Sequence, residues 1–124
     1  MQVNGNIEFN ITQKTAKTVV AHMPVQAGIL NPFGIVNAGA ILWFADVSAS
    51  ILVLEGTTMS EGMAGFPLAI NLNANLVGNS KTGTFIAKAE FVKKGRTVSV
   101  VRTLVTDLDG KLIAEVTTNH VLSK

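Results

Sequence analysis

One carboxylate within an apolar segment is the residue whose position most needs a chemical explanation. Asp46 lies in the most apolar stretch of the chain, which runs from Ala38 to Leu54. Burial of an ionised carboxylate without partners is very costly, so Asp46 requires hydrogen-bond donors, protonation or a wet cavity. Two interpretations are open: a structural carboxylate that accepts from backbone N–H groups, and a general base that faces a cavity.

The residues before this stretch are typical of a helix N-terminus that a ligand can approach closely. Asn37 is a residue type favoured at the N-cap, and small residues occupy positions 38–40. Free N–H groups at a helix start favour negative charge, which suits an oxyanion that develops on a carbonyl group. Tight packing of the helix against a sheet is the alternative use of these small residues.

The spacing of these two features constrains where they can act together. Asp46 follows Gly39 by seven residues, which is about two helical turns or roughly 10 Å along the axis. A base and an oxyanion donor must both come within about 3 Å of the reacting atoms. One helix cannot readily supply both, so any catalysis is predicted to occur at a two-fold interface with a second subunit.

Hydrophobic periodicity predicts that one helix and several strands position these residues. The helix follows Gly39, contains no Pro or Gly, and ends at Gly56. It is apolar on every face and must therefore be wrapped by other structure. Strand patterns are Ile7–Thr12, Thr18–Met23, Pro67–Asn79, Thr84–Lys94, Thr97–Asp107 and Lys111–Leu122.

The connections between the later strands are short, which predicts an antiparallel meander. Residues 79–83 form a loop, Gly95-Arg96 is predicted to be a two-residue hairpin, and Leu108–Gly110 contains an Asp-Gly turn signal. The expected fold class is α+β, with one long helix laid across a curved antiparallel sheet.

Length and composition exclude several kinds of protein. A chain of 124 residues and 13.1 kDa has the size of one domain, so residues 1–124 are predicted to form a single domain. The absence of cysteine excludes disulfide frameworks, thiolate zinc sites and cysteine nucleophiles. Two histidines, His22 and His120, are too few for most histidine-based metal sites, and both are expected to be packing or surface residues.

The charge distribution favours a small anionic ligand over a nucleic acid. The net charge is +2, and only Lys93, Lys94 and Arg96 form a cluster. A nucleic-acid site requires a broad basic stripe with stacking aromatic residues. The alternative for this cluster is a solvated turn with lysines that protect a sheet edge.

No membrane or secretion signal is expected from the sequence. The first residues, MQVNGNIEF, lack the basic and apolar regions of a signal peptide, so a cytoplasmic location is predicted. The stretch from Ala38 to Leu54 is shorter than the roughly 20 residues of a bilayer span. A carboxylate at its centre would cost about 2.5–3.5 kcal/mol on insertion scales.

The segment from Asn31 to Asp46, NPFGIVNAGAILWFAD, resembles the signature of hotdog-fold acyl-CoA thioesterases, with the phenylacetic-acid-degradation branch as the nearest match. That signature is a loop Asn, a Gly, then His-Gly-Gly, then a helix with Asp or Glu seven residues after the last Gly. The segments Asn71–Asn75, Lys94–Thr97 and Asp107–Glu115 also fit, so the resemblance spans nearly the whole chain.

The resemblance implies a hotdog fold, a homodimer or homotetramer with a continuous sheet, and hydrolysis of acyl-CoA thioesters without a metal. No cofactor is implied, because coenzyme A is part of the substrate. The residues that match the signature are Asn31 to Gly39 and Asp46. The resemblance implies that Asp46 is the general base or nucleophile and acts on the neighbouring subunit. The backbone N–H of Ala38 would polarise the thioester carbonyl, and Asn31 would orient the carbonyl or the water. The hairpin segment Lys93–Thr97, which comprises Lys93, Lys94, Gly95, Arg96 and Thr97, would contact the phosphates of coenzyme A.

Two positions depart from the family pattern. Asn37 stands where the family has His, so a hydrogen-bonding side chain is kept but cannot carry a proton at neutral pH. Ala69 stands where mammalian relatives have a Ser that positions the water. Both departures leave open a second function, a non-catalytic acyl-CoA or acyl-ligand binding protein. A dehydratase or isomerase ranks last, because neither histidine lies in the helix-start motif. The apolar residues Met59, Met63 and Phe66 are candidates for an acyl pocket or for the core.

Overall fold

The computed structural model describes residues 1–54 and 67–122, with side chains up to residue 121. The elements in chain order are β1 (Asn10–Lys14), β2 (Thr18–Pro24), a turn of 3-10 helix (Ala27–Ile29), α1 (Ala38–Val53), β3 (Pro67–Leu76), β4 (Thr84–Lys93), β5 (Val98–Thr106) and β6 (Leu112–Leu122).

The strands form one six-stranded sheet in the order β1-β2-β4-β5-β6-β3, and every neighbouring pair is antiparallel. Helix α1 packs against β2, β3, β4, β5 and β6. The predicted α+β architecture, one long helix on a curved antiparallel sheet, is confirmed. Within the described ranges, no helix combines the length and the apolar character that crossing a membrane requires.

The prediction of a simple meander is wrong for β3. This strand pairs with β6 at the edge of the sheet and does not neighbour β4. Its outgoing segment is held by β6, because the N–H groups of Val77 and Gly78 both donate to Ile113 O at 2.9 and 3.0 Å. Residues 77–83 then cross three strand spacings, about 14 Å, which seven extended residues reach easily with roughly 23 Å. The loop at 79–83 is therefore a crossover, not a hairpin.

Helix α1 buries one face against the sheet in two apolar clusters. Its first half packs with β2, β4, β5 and β6, and its second half packs with the opposite end of β2, β4 and β5. The opposite face is less covered, since Trp43 is 41% exposed. The helix ends at Val53 with Leu54 as its C-cap, two residues before the predicted boundary, and Gly56 lies outside the described residues.

Several further boundaries differ from the predictions, and β3 for example ends at Leu76 rather than Asn79. Strand β1 begins at Asn10 rather than Ile7, because the preceding segment contacts the loop before α1, where Asn6 N–H donates to Gly28 O at 2.8 Å. The β4–β5 connection spans residues 94–97 and is not a two-residue hairpin. A register shift between Phe91 and Lys93 widens this end of the pair. The predicted turn at 108–110 is confirmed, with Gly110 at φ +85°.

Candidate active site

The start of α1 presents one backbone donor that the helix does not use. Asn37 is the N-cap, and its side-chain oxygen accepts from Gly39 N–H at 2.7 Å. Its carbonyl accepts from the N–H groups of Ala40 and Ile41 at 3.0 and 3.3 Å. The N–H of Ala38 has no acceptor among the described residues. Ala38 rather than Gly39 is therefore the donor that a ligand oxygen can use.

Asn31 organises the loop that leads into the helix. Its side-chain oxygen accepts from the N–H groups of Phe33 and Ile35 at 2.9 and 3.3 Å. Its own N–H donates to Ile35 O at 2.7 Å. The oxygen is occupied by the loop, so the side-chain amide N–H₂ is the group that Asn31 can offer to a carbonyl or a water.

Asn79 fixes the same loop from the β3–β4 crossover. It accepts from Val36 N–H and donates to Val36 O, both at 3.0 Å. This paired contact joins residues that are distant in the sequence, and no sequence motif indicated it. It holds the helix start in place against the sheet.

A cavity of about 520 Å³ lies beside the helix start. It is bounded by the N-terminal segment, the 3-10 turn and the first turn of α1. The lining residues are Gly5, Asn6, Ile7, Gly28, Ile29, Asn37, Gly39, Ala40 and Trp43. The predicted site residues Asn37 and Gly39 therefore share one cavity wall.

Asp46 lies in a second, separate cavity of about 430 Å³ between α1 and β3. Apart from Asp46 and Ser50 its walls are apolar, and the lining residues are Asp46, Val47, Ser50, Ile51, Leu54, Pro67, Leu68 and Ala69. Asp46 Oδ1 is buried and has no hydrogen-bond partner among the described residues. The structural interpretation, in which backbone N–H groups hold this oxygen, is therefore not observed for Oδ1. An unsatisfied buried acceptor costs about 1–3 kcal/mol, a cost that a ligand or water in the cavity would relieve.

The two cavities have no lining residue in common. The free N–H of Ala38 is at the first turn of α1, whereas Asp46 lies two turns further along the helix. Within one chain the base and the carbonyl donor therefore do not converge, as the helical spacing predicted.

His120 is a polar group of this region that the sequence motifs did not single out. It lies on β6, is 1% exposed, and pairs in register with Ala69 of β3 and Ser99 of β5. Its Nε2 hydrogen-bonds Thr118 Oγ1 at 2.7 Å, and its Nδ1 is buried without a partner among the described residues. The alternation that buries positions 114, 116, 118 and 120 was the available signal for its inward orientation.

The Asp46 carboxylate acts electrostatically on this imidazole. Burial lowers the pKa of His120 below its ordinary 6.5, and the negative charge of Asp46 partly opposes that effect. The lowered pKa favours the neutral ring of His120 at pH 7, and the Asp46 charge is the opposing influence. The expectation of a packing residue describes its burial but not this electrostatic partner.

The hairpin segment Lys93–Thr97 lies at the end of the sheet nearest His120, because Ser99 of β5 pairs with His120. Lys94 Nζ sits 5.6 Å from the centre of the Phe91 ring. Gly95 is required by a close backbone approach, since an added Cβ would lie 1.9 Å from Val98 O.

The cations of this segment remain available to a ligand. Lys93, Lys94, Arg96 and Thr97 are all exposed. None of the three cations forms an ion pair with a carboxylate in the described parts of the chain. The apolar candidates Met59, Met63 and Phe66 lie outside the described residues.

Comparison with known proteins shows the family to which the chain belongs. The model of the Thioesterase superfamily matches residues 33–114 of the chain. The chain belongs to the Thioesterase superfamily. It is also 33% identical over 108 residues to the Bacillus subtilis protein named "Putative esterase ComA2", a match that covers 85% of this chain and 81% of that relative.

Solved structures of thioesterases share the fold of this superfamily member. The thioesterase enzyme SAV0944 of Staphylococcus aureus superimposes with a TM-score of 0.84 at 22% identity, covering 94% of this chain and 93% of the other. A hypothetical thioesterase of Streptococcus pneumoniae, crystallised with coenzyme A, superimposes with a TM-score of 0.80 at 19% identity, covering 93% and 88%. The fold is thus the hotdog fold, and the family is one of hydrolases.

Proposed function

We propose that this chain is an acyl-CoA thioester hydrolase in which Asp46 activates a water molecule. The observation that carries the proposal is the buried, unpartnered Oδ1 of Asp46 at the wall of an otherwise largely apolar cavity. A purely structural carboxylate would have its donors supplied by the fold. A water molecule bound in this cavity beside the thioester would supply a donor instead.

The chemistry follows from the two groups that the fold leaves free. Asp46 accepts a proton from water as the resulting hydroxide oxygen bonds to the thioester carbon. The Ala38 N–H donates to the carbonyl oxygen as negative charge develops on it. Collapse of the tetrahedral intermediate breaks the carbon–sulfur bond, and the proton is passed to the sulfur. The products are a carboxylic acid and free coenzyme A.

The proposed enzyme is a homodimer, alone or within a tetramer, in which Asp46 of one subunit meets the helix start of the other. Strand β3 supports this arrangement because it is an edge strand with exposed apolar side chains. Leu68, Ile70 and Leu72 are 49%, 60% and 40% exposed. A long apolar edge strand normally requires covering, and a second copy would extend the sheet across it.

The phosphates of coenzyme A are proposed to contact the hairpin segment Lys93–Thr97. Its three unpaired cations support this assignment. The crystal structure of the Streptococcus pneumoniae neighbour with coenzyme A supports coenzyme A as the kind of ligand, and not its place. Membership of the phenylacetic-acid-degradation branch and a cytoplasmic location belong to the same proposal. Both are supported by the sequence patterns alone.

Release of free coenzyme A from a panel of acyl-CoA esters tests the proposal. We expect hydrolysis by the wild type and a loss of about 10²–10⁴-fold in kcat for Asp46→Asn and Asp46→Ala, the contribution typical of a general base. Ser48→Ala is the matched control. Ser48 lies on the same helix but does not line the cavity, and its hydroxyl donates to Phe44 O at 2.7 Å. Equally slow release by the wild type and both Asp46 variants would instead indicate a non-catalytic acyl-ligand binding protein.

A further inference from the structure

Two buried polar atoms on facing elements lack partners and complement each other. Asp46 Oδ1 on α1 is an acceptor and His120 Nδ1 on β6 can be a donor, and the structure gives neither atom a hydrogen bond, to the other or to any other described atom. We propose that His120 is a positioning residue that directs its Nδ1 proton to the carboxylate of Asp46 and thereby fixes that carboxylate for catalysis. The catalytic consequence rests on the proposed hydrolase function, whereas the pairing itself does not.

The hydrogen bond on the other ring nitrogen sets the tautomer. Thr118 Oγ1 lies 2.7 Å from His120 Nε2, and both side chains are buried on the same face of β6. When the Thr118 hydroxyl donates to Nε2, the single proton of the neutral ring is held on Nδ1. The proton is then on the nitrogen that has no partner among the described residues. Burial of the ring supports the neutral form, because it lowers the pKa of His120.

The neighbours of His120 leave Asp46 as its charged partner. On β5 the paired residue is Ser99, whose hydroxyl is already engaged with Gly95 N–H and O at 3.3 and 3.4 Å. On β3 the paired residue is Ala69, which has no polar side chain. Among the described residues, Asp46 is the charged group that acts on this ring.

The β3 residue that lies across from His120 offers no hydroxyl to the cavity. Ala69 lines the cavity of Asp46 but cannot donate a hydrogen bond to the acid or to a water. His120, directly across the strand pair from Ala69, provides a donor from behind that position. The chain thus has a polar group one strand behind this wall of the cavity, although His120 itself does not line the cavity and β3 offers no polar side chain at position 69.

Titration of the histidine rings by ¹⁵N NMR in the wild type and in Asp46→Asn tests the pairing without requiring turnover. Removing the negative charge of Asp46 removes the influence that raises the pKa of His120, so its pKa should fall further and its Nδ1 resonance should shift. His22 is the internal reference. It lies on β2, which is separated from β6 by β4 and β5, and its Nδ1 hydrogen-bonds Thr12 Oγ1 at 2.9 Å. Its resonances should therefore be the same in both proteins. Identical His120 resonances and pKa in the two proteins would overturn the pairing.

Kinetics of His120 variants test the positioning role. His120→Asn keeps an N–H donor near the place of Nδ1 and should retain most of the kcat for acyl-CoA hydrolysis. His120→Leu should lower kcat by about 10- to 100-fold with KM unchanged, because a misplaced base loses part of its contribution. His22→Gln is the matched control and should have wild-type kinetics.

The outcomes separate the two proposals. If His120→Leu keeps the wild-type kcat and pH profile while Asp46→Asn is inactive, the positioning role is overturned and the hydrolase stands. If the wild type hydrolyses no acyl-CoA ester, the hydrolase fails, and the NMR titration alone decides whether His120 pairs with Asp46.

Discussion

At the scale of single residues, Asn37 has a defined role that differs from proton transfer. Its side-chain oxygen is held by Gly39 N–H at 2.7 Å, so it is committed to capping α1. Asn37, where the resembled signature has His, shapes the helix start and leaves the next N–H, that of Ala38, free. In the proposed mechanism, Asn37 therefore acts through the geometry and the electrostatics of that N–H.

Two substitutions at position 37 separate capping from catalysis. Asn37→Ala removes the cap and should lower the free energy of unfolding by about 1 kcal/mol, measured by urea denaturation. Asn37→Asp keeps the cap and the stability, because Asp and Asn are similar N-caps. It should nevertheless lower kcat, since a negative charge beside the Ala38 N–H opposes an oxyanion there. Wild-type kcat in Asn37→Asp would argue against Ala38 as the carbonyl donor.

At the scale of elements, the β4–β5 connection combines exposed cations with a rigid backbone. The close approach of Gly95 to Val98 O and the hydrogen bonds of the Ser99 hydroxyl fix the turn. A fixed turn with unpaired cations is suited to a polyanionic ligand, because little ordering is needed on binding.

Lys94→Ala and Arg96→Ala should each raise the KM for acyl-CoA esters by several-fold and leave kcat nearly unchanged, because they remove contacts distant from the thioester. The effect should shrink as ionic strength rises. Lys88→Ala is the matched control, because Lys88 lies on the sheet face away from α1. Its Nζ lies 3.7 Å from Glu90 Oε1 in an exposed ion pair. Unchanged KM in both hairpin variants would remove the phosphate assignment.

Local sequence patterns predicted the elements but not all of their neighbours. The long apolar run of α1 and the alternation in β4, β5 and β6 follow directly from side-chain periodicity. The position of β3 beside β6 does not, because a loop of a few residues can close a hairpin or cross the end of a sheet. The contact of Val77 and Gly78 with Ile113 decides between these routes, and such a contact has no local signal.

The same distinction applies to the candidate site. Asp46 and the start of α1 could be singled out from residue type and spacing within one segment. His120 could not, because its relation to Asp46 depends on the register of β6 against β3 and β5. Asn79 was missed for the same reason, since its paired hydrogen bonds to Val36 connect distant parts of the chain.

At the scale of the whole molecule, the two groups of the proposed site lie at different places on one chain. The free N–H of Ala38 is at one end of α1, and Asp46 lies beside the exposed edge strand β3. The central claim is that a second copy brings these groups together. The claim predicts that two different defects can compensate each other between subunits.

Ala38→Pro provides the second defect with little disturbance of the fold. It removes the N–H at the first helical position, where Pro is well tolerated. Asn37 already has φ −61° and ψ 131°, a conformation that a residue before Pro prefers. The variant should keep its fold and lose about 10²–10³-fold in kcat, as expected for one oxyanion donor.

Co-expression of Ala38→Pro with Asp46→Asn at equal levels is the most direct measurement, with coenzyme A release as the readout. Each variant alone should be nearly inactive. The mixture should recover about a quarter of the wild-type rate, because random pairing makes half of the dimers mixed and each mixed dimer has one intact site of two. A mixture that stays as inactive as its two parents would contradict a site shared between subunits.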